Sequence, residues 1–496
     1  MAIFIISLNI NSLLIKDYLF DCKLALNAFT ISLNNNILKN LKGLIMQTTV
    51  NQSILPLTAK INDKNHLEIG GCDTVELVKK YASPLYVYDE EGIRTCCRQY
   101  KEAFSSYADV SVLYASKAFM TRAVCKIMKD EGLGLDVVSG GEIYTAINSG
   151  FPMQKCYFNG NNKTIDELKL ALYCGMGRIT VDNFYELELL NEIAKNHEKK
   201  VDILLRITPG IECHTHEYIK TGHIDSKFGF DLAQLDEAVL KIKNNYENLE
   251  LKGLHAHIGS QIFEKDVYVD LIKIIFEQFV KIREKFEIAL AEMNIGGGIG
   301  VKHTEDEDPL SVYDMGAIIT DAFKENLNKN NLNGIKLIIE PGRSIICNSG
   351  VTLYTAGSYK QVTDGRKYIA VDGGMADNPR PSMYQAKYTA IVANKANSNP
   401  EEVVTIAGRY CESGDILIKD INLPNINPGD IICIPATGAY NYSMASQYNR
   451  VGKPAAIIVH KGQSDVIIKR ESYQDLISYD LIPERLAKSG CSCNNH

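Results

Sequence analysis

The 496-residue sequence has no tryptophan, no basic block, no internal repeat and no apolar run long enough to cross a bilayer. The missing tryptophan excludes nothing by itself. The missing basic block does: with a formal net charge of −7 and no Lys/Arg cluster, nucleic acid is not an expected partner. The most apolar stretch, Ala2-Ile3-Phe4-Ile5-Ile6-Ser7-Leu8, is broken by Asn9 and Asn11. That is well short of the ~20 residues a membrane helix needs, so no membrane association is expected. A secretory signal would carry basic residues ahead of its apolar stretch, whereas the first lysine here is Lys16.

Cysteine is present but unorganised. The 13 cysteines are odd in number and scattered, which does not suit a disulfide framework. Only Cys96-Cys97 and Cys491-Ser492-Cys493 are tightly spaced, and neither has a matching His or Cys pair at zinc spacing, so no metal site is expected. Free thiols in a reducing cytoplasm are the expected state, with Cys411 singled out below.

What remains is an ordinary globular composition, 45% hydrophobic and 23% charged, in a chain long enough for two domains. Residues 1–45, rich in Ile, Leu and Asn, read as an extension outside the folded unit, with Met46 an alternative start and a targeting peptide the weaker reading. From Val110 onward, β-rich runs at 110–115, 135–138, 156–158, 179–181, 201–207, 254–258, 293–295 and 336–339 alternate with amphipathic helical stretches. Among these are 121–131, 142–149, 165–174, 185–198 and 266–286. Eight alternations fit a (β/α)8 barrel of about 250 residues; a doubly wound open sheet also alternates. Polar residues at the run ends favour the barrel: Lys117, Asp136, Asp182, Arg206, His257, Gly296-Gly297-Gly298 and Glu340 would all gather on one face. Beyond Arg343, short β-rich runs separated by Gly, Asp, Asn and Pro predict a mainly antiparallel β domain. The stretch 67–88 could contribute to it. The expected layout is 1–45 extension, 46–84 N-terminal part of the β domain, 85–343 barrel, 344–480 C-terminal β domain and 481–496 tail.

Several of these positions suggest chemistry. Lys117, after apolar Val112, Leu113 and Tyr114, would be half buried, and burial would lower its pKa towards that of an imine-forming amine. A surface lysine in a loop is the plainer alternative. His257, in Leu254-His255-Ala256-His257-Ile258-Gly259-Ser260, could stack on a flat cofactor; an ordinary strand histidine is the alternative. The glycines of Asn294-Ile295-Gly296-Gly297-Gly298-Ile299-Gly300 could present N–H groups to a phosphate, helped by the start of a following helix. Glu340, in Glu340-Pro341-Gly342-Arg343, could pair with a protonated pyridine nitrogen, and Arg343 with a carboxylate. A rim ion pair between the two is the rival reading.

Seven motifs in order resolve this ambiguity. They are Tyr114-Ala115-Ser116-Lys117-Ala118, His257-Ile258-Gly259-Ser260-Gln261, Gly296-Gly297-Gly298, Glu340-Pro341-Gly342-Arg343-Ser344, Arg380-Pro381-Ser382-Met383-Tyr384, Cys411-Glu412-Ser413-Gly414-Asp415 and Gly438-Ala439-Tyr440. From about Leu67 to about Leu476 the chain resembles the diaminopimelate decarboxylases, members of the alanine racemase-like, fold-type III pyridoxal-phosphate enzymes. The resemblance implies that Lys117 carries pyridoxal 5'-phosphate, His257 stacks on its ring and Glu340 meets its nitrogen. It also puts Asp136 near the lysine, with Ser260, Gly297, Gly298, Gly342 and Tyr440 around the cofactor. Arg343, Arg380, Tyr384 and Tyr440 would bind substrate. Cys411 would donate a proton and Glu412 would take the substrate's distal ammonium, both supplied by the neighbouring subunit of a homodimer. The implied reaction is decarboxylation of meso-2,6-diaminopimelate at its D-centre to L-lysine, the last step of lysine biosynthesis.

Other readings stay open at this level. Decarboxylases of carboxynorspermidine, arginine or ornithine share the barrel, although ornithine has no distal carboxylate for the arginines. The racemase branch sets Arg, not Glu, against the pyridine nitrogen. A non-catalytic relative tends to lose the lysine or the cysteine. The chain also departs from the family pattern, with Asn159 where His is usual and Arg409 where Pro is usual.

Overall fold

The computed structural model describes residues 52–211, 226–363 and 365–487. The expected extension at 1–45 and the Cys491/Cys493 pair lie outside these residues. Among the described residues no helix is long and apolar enough to cross a membrane.

Eight parallel strands close into a barrel: Val110–Ala115, Gly134–Val137, Cys156–Phe158, Arg178–Val181, Val201–Thr208, Leu249–His255, Glu292–Asn294 and Lys336–Ile339. The last pairs back to the first, with Ile339 opposite Val112. Apolar runs buried on both faces make such strands, as the fully buried Cys156-Tyr157-Phe158 illustrates.

The sixth strand is the one furthest from expectation. It begins at Leu249 and ends at His255, not at Ile258. Glu250 and Lys252 point outward between buried Leu251 and its neighbours, so the charged residues hide a period-2 strand.

The intervening helices start on recognisable caps. Thr164 and Glu167 form a capping box on Ile165–Cys174, which closes at Gly175 with φ +70°. Asn183 accepts from the Glu186 N–H at the start of Phe184–Asn196. Asp266–Phe286 buries Leu271, Ile275, Phe279 and Ile282 against the barrel at helical spacing.

The second domain is built on Gly350–Gln361, a long strand that pairs antiparallel with Lys367–Val371, Ile431–Ile434 and Leu85–Asp89. It is mainly antiparallel, as expected, with two parallel pairings: Glu402–Ala407 on Lys367–Val371, and Ala455–His460 on Leu85–Asp89. Leu85–Asp89 therefore lies in this sheet, although the boundary expected at 84/85 gave it to the barrel. Its five residues are all buried. Leu85 and Val87 pack with Leu67 and Ile69 from upstream and with Leu353, Cys433 and Ile457 from downstream.

The β domain reaches the barrel mouth directly. The Tyr440 N–H donates to the Ala118 carbonyl at 2.8 Å, and the Ser443 hydroxyl to the same oxygen at 3.1 Å. Tyr440 takes a positive φ of 59° to do so, an uncommon conformation for a bulky residue.

Candidate active site

Lys117 sits in a single 3-10 turn, Ser116–Ala118, straight after the first strand. The turn is braced below by Tyr114, whose hydroxyl donates to Phe119 O at 2.8 Å. Gly342 closes the other side, where a Cβ would fall 2.9 Å from the Ala115 Cβ. Gly342 is thus a close-packing position beneath the lysine strand. Lys117 is half buried, and its Nζ lies 3.7 Å from Asp136 Oδ2.

The expected pKa shift of this lysine has the opposite sign. Burial alone would lower it, but Asp136, then Tyr440 and Glu340, outweigh burial and raise it. The expectation counted desolvation and could not count carboxylates contributed by other strands.

Those carboxylates are tied together. Asn159 Nδ2, at the end of Cys156–Phe158, donates to Asp136 Oδ1 at 2.5 Å and to Glu340 Oε1 at 3.1 Å. Glu340 Oε1 also accepts from Asn294 Nδ2 at 2.7 Å, and Oε2 meets His255 Nε2 at 3.1 Å. Burial would raise both acids. For Asp136 it does, reinforced by the charge on Glu340. For Glu340 the contacts with His255, Lys117 and Asn294 prevail and hold it below the usual carboxylate range. Glu340 therefore carries a fixed, fully hydrogen-bonded negative charge. Asn159 and His255 are central here, yet the sequence reading gave neither a role. Asn159 appeared only as a departure, and His255 was overshadowed by His257.

His257 follows the sixth strand and lines the same cavity. Burial, then Lys117 and Arg206, push its pKa well below the usual value, so the ring is neutral. Its Nδ1 accepts from the Gly297 N–H at 3.3 Å. Gly296 and Gly298 have φ of +67° and +117°, and a Cβ on Gly298 would come within 2.5 Å of Gly259 O. The expected helix start after this glycine run is absent: Ile299 bridges to Ile262, and the next helix is Val312–Lys329.

Arg343 and Arg380 meet at the other side of the cavity. The Arg343 guanidinium donates to Ser260 Oγ at 3.0 and 3.2 Å and stacks 4.6 Å from the centre of the Tyr440 ring. Arg380 lies 5.6 Å from the Tyr384 ring and donates from Nε to Tyr388 Oη at 2.9 Å. Neither has a carboxylate partner among the described residues, and Arg343 Nη1 is buried without any hydrogen-bond partner. Burial, then the nearby Arg380, pushes Arg343 down to about 10. Two buried cations in one lining, neither paired with a carboxylate among the described residues, form a site for an anion. Arg206 is a further buried cation in the lining, 4.0 Å from Asp182 and 4.2 Å from the Phe228 ring.

Cys411 and Glu412 are not among the side chains around this cavity. Both are exposed, on a loop pinned by Asp415, which accepts from the Tyr410 and Met375 N–H groups at 2.9 and 2.7 Å. Arg409 is exposed on the same loop. The nine described cysteines are free thiols, and among the described residues no cluster of three His, Cys, Asp or Glu could hold a metal.

The cavity, about 400 Å³, thus offers an amine on a strand-end turn, a neutral imidazole and a fixed carboxylate. A pair of arginines without a carboxylate partner among the described residues completes it, and Gly298 lines an adjoining recess shared with Lys117, His257 and Ser260. These residues fit pyridoxal phosphate: glycines too tightly packed for side chains, an ionised acid for the ring nitrogen and a lysine to hold the group. A barrel so equipped defines a pyridoxal-dependent decarboxylase, and the family model "Pyridoxal-dependent decarboxylase, pyridoxal binding domain" matches residues 91–347.

Whole-chain comparisons narrow the class. The diaminopimelate decarboxylase of Synechocystis sp. is 48% identical over 448 residues, covering 88% of this chain and 94% of that one. That of Bacillus subtilis is 47% identical, covering 86% and 97%. The crystal structure of the M. jannaschii enzyme in co-complex with L-lysine superimposes with a TM-score of 0.82 at 33% identity, covering 88% of this chain and all of that one. The chain belongs to the diaminopimelate decarboxylase family.

Proposed function

We propose that this protein decarboxylates meso-2,6-diaminopimelate at its D-centre, giving L-lysine and CO2. The observation that carries the reading is the pair of buried, carboxylate-free arginines, Arg343 and Arg380, facing the lysine-bearing recess. A substrate with a second carboxylate fits them; ornithine has none to offer.

Pyridoxal phosphate, when bound, supplies an electron sink for the pair left behind as CO2 departs from the α-carbon. Lys117 would hold the cofactor covalently and take it back at the end of each turnover. Asp136, 3.7 Å from Nζ, would take up and return protons at that amine. Glu340, ionised and held by Asn159, Asn294 and His255, would keep a proton on the ring nitrogen. Neutral His257 would cover one ring face, with its orientation set by the Gly297 N–H. Ser260 and the Gly297–Gly298 backbone would border the phosphate.

The substrate's L-centre carboxylate would bridge Arg343 and Arg380 beside Tyr384 and Tyr440. Among the described residues Glu340 is the one carboxylate in the lining, and it is already held by Asn159, Asn294 and His255, so none of them offers an acid to the distal ammonium. We therefore read the enzyme as a homodimer in which the partner subunit's Glu412 takes the ammonium and Cys411 of the partner subunit protonates the α-carbon. The exposure of both residues on their own chain supports this arrangement.

The test is CO2 release with added pyridoxal phosphate against a substrate panel. Release from meso-diaminopimelate but not from ornithine or arginine is expected. Equal release from ornithine would remove the argument from the arginines.

A further inference from the structure

Behind the arginines lies a buried cluster that the reaction does not use. Cys347 follows Arg343 by one helical turn, and its Sγ lies 3.6 Å from His303 Nε2. Both residues are buried. The thiol donates to Ala436 O at 3.1 Å.

The tautomer of His303 follows from its neighbour. Gln261 Nε2 donates to Val301 O at 2.9 Å, and its Oε1 accepts from the Val301 N–H at 3.0 Å, which fixes the amide orientation. The second N–H of Gln261 then faces His303 Nδ1 at 3.2 Å, leaving the ring hydrogen on Nε2, aimed at the sulfur. His303 also presents its ring edge-on to Tyr388, 5.6 Å between centres.

Two supports therefore meet at one imidazole. Gln261 is the chain neighbour of Ser260, which accepts both bonds from Arg343. Tyr388 accepts from Arg380 Nε and donates to Asn441 Oδ1 at 3.4 Å. We propose that His303 and Cys347 form a buried positioning pair that fixes both arginines of the carboxylate clamp, Arg343 through Gln261 and Ser260, and Arg380 through Tyr388.

The electrostatics agree with this placement. Burial would raise the Cys347 thiol, but His303, Arg343 and Arg380 together bring it below its usual value. Burial would lower His303, but Cys347 and Glu307, 3.8 Å from Nδ1, raise it. The charged and titratable groups around the pair are thus Arg343, Arg380, Glu307 and Tyr388. The sulfur, protonated and donating to Ala436 O, turns its lone pairs to the His303 Nε2 hydrogen, which holds the two side chains in register.

This inference rests on the reading of Arg343 and Arg380 as the substrate's carboxylate clamp, and the experiment separates the two. Inhibition of the holoenzyme is measured with L-lysine, which keeps that carboxylate, and with 1,5-diaminopentane, which lacks it. Cys347→Ala and His303→Phe are each expected to weaken L-lysine roughly ten-fold, the scale of a charged hydrogen bond lost in part, and 1,5-diaminopentane hardly at all. Cys347→Ser, which keeps a donor to Ala436 O and an acceptor for His303, should restore most of the loss. Equal weakening of both inhibitors, or none in either variant, overturns the positioning pair if Arg380→Lys still weakens L-lysine selectively. If Arg380→Lys leaves the L-lysine constant unchanged, the clamp itself is wrong and the inference falls with it. Should Cys347→Ala not fold, His303→Phe and Cys347→Ser carry the same comparison.

Discussion

Asn159 Nδ2 lies 3.1 Å from Glu340 Oε1, and the same nitrogen donates to Asp136. One neutral amide thus spans two acids that would otherwise face each other across a buried cavity. Asn159→Ala should leave Glu340 short of a donor and free Asp136 to move. A fall in kcat/KM of roughly ten-fold or more is expected, the scale of a lost hydrogen bond to a charged group. Asn159→Asp should be worse, because it adds a third carboxylate and removes the donor. Steady-state kinetics at saturating cofactor check both, and an unchanged Asn159→Asp enzyme would contradict the bridging role.

Lys117→Ala should abolish the near-visible absorbance of the purified, cofactor-loaded protein. Activity should drop by at least roughly 10²–10⁴-fold, the span for loss of a single acid–base group. Absorbance retained after dialysis would remove the central role given to Lys117.

The shared-site reading predicts complementation. Lys117→Ala and Glu412→Ala subunits should each be inactive alone. Mixed, they form heterodimers in which one site carries both defects and the other carries neither. Activity should therefore reappear on co-expression, and continued silence in a verified heterodimer counts against the partner subunit's Glu412.

Asp377 gives a pH prediction away from the chemistry. It is buried, and accepts from Tyr354 Oη at 2.5 Å, Gly374 N at 3.0 Å and Tyr410 Oη at 3.1 Å. Burial raises it from 3.8 to about 7. Across that window the folded chain holds a proton that the unfolded chain has lost, so stability falls as pH rises and levels off above about 7. The full swing is up to about 4 kcal/mol. Asp377→Asn cannot titrate, so its melting temperature should vary less between the two ends of the window than that of the parent. An undiminished slope would assign it to other groups, of which Glu142, also raised to about 7 by burial, is the first to test.

Much of this architecture was legible because it is written in local periodicity. Val110–Ala115, Cys156–Phe158 and Lys336–Ile339 stand at the bounds their apolar runs predict. The whole of Asp266–Phe286 follows from a helical stripe. The candidate site residues on strand ends converge for the same reason, since a parallel barrel puts all its carboxyl ends on one face. What was not legible depends on distance across the fold. The sign of the Lys117 shift needs Asp136 and Glu340, and the role of His255 needs Glu340, from a strand 85 residues away. That the β domain runs through Leu85–Asp89, past the boundary expected at 84/85, depends on its distant partners, Gly350–Gln361 and Ala455–His460.

That last strand has a consequence for how the protein is made. Leu85–Asp89 leaves the ribosome early, yet both of its sheet neighbours are translated only after the entire barrel. The nascent chain therefore holds a complete barrel beside a buried-type strand with two open edges, a template for unwanted pairing. Only when Ala455–His460 emerges are both edges covered. Premature termination before that point should yield chains that aggregate even though every barrel residue is present.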